Sequence, residues 1–151
     1  MAIEEIAPGI LQEWLYDDRI VAFTIQNISR SSIDAYIEAS LQIIRTWPKD
    51  RDYLVINTGS PRIIITPYLH RRAEELGYMA TKRGLRGKNA LVTPNKAANY
   101  IARLILREKN PYSPQVTKRV FLDRQSALNW LYPGITPTNQ QNVPGIFPPN
   151  M

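Results

Sequence analysis

Short apolar runs alternate with stretches of helical period, two threonine–proline pairs mark helix starts, and the chain begins with two adjacent strand-like segments. Together these predict an α/β protein: a mainly parallel sheet with an N-terminal antiparallel hairpin strand, flanked by helices in the order ββαβαβαβα. At 151 residues, 44% apolar and 21% charged, the chain has the size of one domain and enough apolar side chains for a core. The domain is expected over residues 1–131, with residues 132–151 as a tail.

Ile10–Tyr16 and Ile20–Ile25 are rich in bulky and β-branched residues, and Asp17-Asp18 between them reads as a hairpin turn. Ser31 and Asp34 then resemble a capping box. Ile33, Ile37, Leu41 and Ile44 recur at helical spacing until Pro48 stops the run. Tyr53–Ile56 reads as a buried strand, and Asn57-Thr58-Gly59-Ser60-Pro61 as the turn after it. Thr66-Pro67 and Thr93-Pro94 each place an N-cap threonine before a proline at the first helical position, where no N–H is needed. Leu69, Ala73, Leu76 and Ala80 form the expected inner stripe of the first of these helices; Ala97, Ile101, Leu104 and Ile105 form that of the second. Ala90–Val92 between them is a strand, and Asn110-Pro111-Tyr112-Ser113-Pro114 a loop. Val120–Leu122 is the last strand, and Asp123 caps a helix carrying Ala127, Leu128 and Leu131. From Tyr132 onward there are five prolines and no charged side chain, a composition expected to be extended or disordered.

Four of these segments carry a family resemblance: the hairpin before a capped helix, Tyr53–Ile56 leading through Arg62–Ile65 into a helix, Asn89–Pro94 before a helix, and Arg119–Leu128. Over about residues 10–131 the chain resembles the STAS superfamily, the fold of bacterial anti-anti-sigma factors and their single-domain relatives. The resemblance implies a regulatory or protein–protein interaction module. Phosphorylatable members have an Asp-Ser-Ser-Gly-like sequence where this chain has Ile65-Thr66-Pro67-Tyr68. Isoleucine stands for the acid and tyrosine for the glycine, so the phosphorylation motif is degenerate. Only Thr66 keeps a hydroxyl, which makes it the candidate phospho-acceptor as well as an ordinary N-cap.

Composition removes many activities. With no cysteine, there is no disulfide framework, thiolate nucleophile or sulfur-ligated metal site. The single histidine, His70, has no second histidine with which to share a metal. Asp17-Asp18 and Glu74-Glu75 are adjacent acids, not carboxylates held across a cleft. No enzyme, cofactor or metal is therefore expected. No run approaches the ~20 apolar residues of a membrane span, and the N-terminal stretch lacks a leader pattern, so a cytoplasmic protein is expected.

Charge is unevenly distributed. Residues 1–52 hold 9 acids and 5 bases, whereas residues 53–151 hold 14 bases and 4 acids, a polarity that steers anions toward the second part. Asn57, Thr58, Gly59, Ser60, Thr66, Thr93 and Asn95 are expected to gather at the edge where strands end and helices begin, the usual ligand position in such sheets. There they either bind a partner or a small anion, or act as plain caps and turn formers. Lys82, Arg83, Arg86 and Lys88 surround Gly84 and Gly87 in a G-x-x-G that offers a polyanion contact; the same bases also suit a helix C-terminus. The run Ile63-Ile64-Ile65 is too apolar to stay exposed and is expected to bury or to meet another subunit. The sequence thus predicts a non-enzymatic STAS-like interaction module with a protein partner or a second copy. A small anionic or lipid-like ligand and nucleic acid are the alternatives.

Overall fold

A computed structural model of the chain describes residues 3–107 and 115–133. Its six-stranded sheet runs in chain order, β1 Glu4–Ala7, β2 Ile10–Leu15, β3 Ile20–Ile25, β4 Tyr53–Gly59, β5 Gly87–Val92 and β6 Val116–Phe121. The first three strands pair antiparallel and the remaining pairs are parallel. Helices α1 Arg30–Thr46, α2 Pro67–Lys82 and α3 Lys96–Arg107 connect β3 to β6, and α4 Arg124–Leu131 follows. The ββαβαβαβα pattern is therefore present, preceded by the additional edge strand β1. Tyr16, Asp17 and Asp18 all adopt positive φ, closing the β2–β3 hairpin in the left-handed conformation that tight turns require.

Alternation along the strands sends side chains to two cores. Val21, Phe23 and Ile25 of β3, with Tyr53 and Val55 of β4, face Ile33, Ile37, Leu41 and Ile44 of α1 and Leu69 and Ala80 of α2. On the other face Ile20, Ala22, Leu54, Ile56, Ala90 and Val92 pack under Ala127, Leu128 and Leu131 of α4. Trp14 stacks on Trp47 at 5.9 Å, and Tyr53 meets Trp47 edge-on at 5.1 Å, so these aromatics are core and boundary groups. Between α1 and α2, Arg72 joins Asp34 and Glu38 while also pairing with Glu75 on its own helix, and the Tyr68 hydroxyl donates to Asp34.

Several local expectations are corrected. Ser29, not Ser31, caps α1, its hydroxyl accepting from Ser32 N–H; Asp34 is drawn to α2 instead. Asn57, Thr58 and Gly59 continue β4 rather than forming a turn, because Asn57 and Thr58 pair on both sides with β3 and β5 and Gly59 pairs with β3. Asn95, not Thr93, caps α3: its Oδ1 accepts from Ala98 N–H. The α3 stripe is also displaced. Ala98, Asn99 and Ala102 are buried, whereas Ile101 is 43% and Leu104 42% exposed, because Asn99 turns inward to donate to Thr93 and to the Phe121 carbonyl. Ile63–Ile65 lies in a loop; Ile63 packs on the core and Ile64 is 50% exposed. The Asn110–Pro114 loop and most of the expected tail lie outside the described residues. Among those described, no helix is long and apolar enough to cross a membrane.

Candidate functional site

Of the residues expected at the edge, Asn57, Thr58 and Gly59 lie within β4, and most of the others are engaged within the fold. Thr66 caps α2, accepting from Leu69 N–H at 3.2 Å with Pro67 following. Asn95 caps α3 and donates to the Pro61 carbonyl at 3.0 Å, tying the two loops of that edge together. Ser60 N–H bonds the Ile25 carbonyl, and Gly59 lies against Ile63. Thr93 is buried and bonded to Asn99. Asn57 and Thr58 leave β4 on opposite faces. The Thr58 hydroxyl is buried and has no hydrogen-bond partner among the described residues.

The four bases of the G-x-x-G segment are not brought together as one surface. Arg83 donates to the Ile44 and Trp47 carbonyls at 2.6 and 2.8 Å, completing the C-terminus of α1. Lys88 emerges on the opposite face, donating to the Trp130 carbonyl at 2.9 Å with its ammonium over the Trp130 ring. Lys82 and Arg86 are exposed. Gly84 takes positive φ just after α2, the usual helix-ending use of glycine.

A cavity of about 120 Å³ lies instead between the sheet and α1 and α2, on the face shared by β4, β5 and β6. The topology creates it. In the rows across this face, Val55 of β4 pairs with Asn89 of β5, and Asn89 with Lys118 of β6. The big apolar residues of β3 and β4 thus give way to an amide and an amine. Above them α2 offers Ala73 and Gly77, too small to fill the space, together with His70 and Glu74. Leu69, Leu91 and Ile105 complete an apolar wall.

A directed hydrogen-bond chain runs along the floor. The buried Tyr36 hydroxyl, itself bonded by Ser40, donates to Asn57 Oδ1 at 2.6 Å, and Asn57 Nδ2 donates to Asn89 Oδ1 at 2.9 Å. Asn89 Nδ2 donates to no group among the described residues. Burial pushes the Tyr36 phenol well above its ordinary value, against the Ser40 hydrogen bond; Tyr36 thus stays a neutral donor and polarises the chain toward Asn89. Burial also lowers the Lys118 ammonium below its usual value, with the Glu74 carboxylate acting in the opposite direction.

Sequence reading identified Asn57 but assigned it to a turn, and did not single out Tyr36, Asn89 or Lys118 as site residues. The available signal was the polar residue at an inward position in each of β4 and β5, Asn57 and Asn89, beside otherwise apolar runs. Their convergence with Tyr36 depends on strand register. The arrangement offers apolar enclosure and donors, with no group of three or more potential metal ligands among the described residues. Comparison with family models, with curated proteins and with solved structures finds no match to this chain.

Proposed function

We propose that this chain is a non-enzymatic binding domain that takes a small amphipathic molecule into the cavity beneath α2. The observation that carries this reading is a hydrogen-bond chain ending in the open donor of Asn89 inside a mainly apolar cavity. Such a combination of apolar wall and few oriented polar groups is the usual make-up of a ligand site. An apolar cavity of roughly 150 Å³ accommodates benzene, so this one suits a hydrocarbon body of about five carbons. The test is a titration with 3-methylbutanol followed by backbone amide shifts. Saturable shifts at Asn89, Leu91 and Ala73 are expected. An Ala73→Phe variant, which fills the space, is expected to lose them while keeping its melting transition. Unperturbed amides at millimolar alcohol in the unmodified protein would overturn the reading.

A second reading, the protein-interaction module implied by the resemblance to the STAS superfamily, is favoured by α3. Tyr100 is 64% exposed beside Ile101 and Leu104, leaving an apolar row on the solvent side. If this row joins two copies, sedimentation should show a dimer that Ile101→Glu converts to monomer. Sedimentation as a monomer at every concentration would exclude self-association.

A further inference from the structure

We propose that the cavity binds its ligand through a carboxylate, held between the Lys118 ammonium and the Asn89 amide, so that its natural occupants are short branched or cyclic monocarboxylic acids. This rests on the reading of the cavity as the ligand site and adds the chemistry of the head group. Asn89 and Lys118 are register partners on adjacent parallel strands, so their side chains leave the same face of the sheet, and both line the cavity. Asn89 Oδ1 already accepts from Asn57, which turns the Nδ2 donor hydrogens outward from the chain. Lys118 is half-buried and makes no hydrogen bond or ion pair with the described residues. Two neighbouring donors, one of them charged, match the two oxygens of a carboxylate.

The charge of the surroundings fits this assignment. Burial disfavours the Lys118 ammonium, a penalty that a bound anion relieves. Glu74 lines the same cavity and acts electrostatically on Lys118 without forming an ion pair. It therefore serves as a distant counter-ion to Lys118 and opposes an incoming carboxylate. Leu91, two residues from Asn89 along β5 and on the same face, lies where the hydrocarbon would extend, against Leu69 and Ile105.

The experiment compares 3-methylbutanoate with 3-methylbutanol at neutral pH and low salt, by amide-shift titration of the full chain. The acid is expected to bind at least about ten-fold more tightly. Lys118→Met should abolish the preference for the acid over the alcohol. Glu74→Gln, which retains the shape but removes the opposing charge, should tighten acid binding several-fold; it provides a separate test if Lys118→Met fails to fold. Equal affinity for acid and alcohol, or weaker acid binding in Glu74→Gln, would overturn the carboxylate assignment and leave the cavity reading intact. Binding of neither compound would overturn both.

Discussion

Gly87→Ala is expected to destabilise the protein by about 3–5 kcal/mol, the range reserved for severe steric or core damage and a large share of the stability of an ordinary domain. A Cβ at this position would lie 1.8 Å from the Tyr53 carbonyl oxygen and 2.6 Å from its carbon. Those atoms belong to backbone and cannot rotate away. Gly87 also starts the ladder on both sides, paired with Tyr53 of β4 and Val116 of β6, and its N–H bonds the Gln115 carbonyl. Moving it disturbs three strands and the floor beneath the cavity. Urea unfolding monitored by circular dichroism measures the effect, and a loss under about 1 kcal/mol, the size of an ordinary substitution, would contradict this account.

Phe23→Ala should cost a similar amount, about 3–5 kcal/mol from lost burial and residual cavity, but its second consequence concerns the site. Phe23 is 1% exposed and meets Tyr36 edge-on at 5.1 Å. Removing the ring leaves Tyr36 unsupported on one side, so its hydroxyl is no longer held against Asn57. Ligand affinity is therefore expected to fall even under conditions where the variant is fully folded. Phe23→Leu, which keeps most of the volume, should recover most of the stability and less of the affinity, because a branched aliphatic chain does not reproduce the edge-on contact. Calorimetric melting together with the alcohol titration separates the two effects. Full affinity in folded Phe23→Ala would remove Phe23 from any positioning role.

Thr66 illustrates how a capping residue can be located from the sequence alone. Its hydroxyl is engaged with Leu69 N–H and Pro67 follows at the first helical turn, an arrangement that accounts for threonine at this position through capping alone. The bases around Gly84 are divided by the fold: Arg83 caps one helix and Lys88 fixes another on the opposite face. Proximity along a chain that is turning from a helix into a strand does not put side chains on one surface.

What was legible in the sequence is what local physics controls. Strand runs such as Ile20–Ile25 and Tyr53–Ile56, the proline-marked start of α2, the Asp123 cap and the acidic hairpin turn follow from period, branching and capping chemistry within a few residues. The errors fall where a distant partner overrides local preference. Asn57, Thr58 and Gly59 look like turn formers until the neighbouring strands supply ladder partners. The apolar stripe of α3 looked inward until Asn99 found Thr93 and Phe121. Asp34 suited a cap until Tyr68 and Arg72 approached from another helix. The sequence by itself determined the alternation of strands and helices and excluded thiol chemistry. Strand register, which aligns residues some thirty positions apart, and the packing of α1 on the sheet were left to the tertiary structure, which placed Tyr36, Asn57, Asn89 and Lys118 around one cavity.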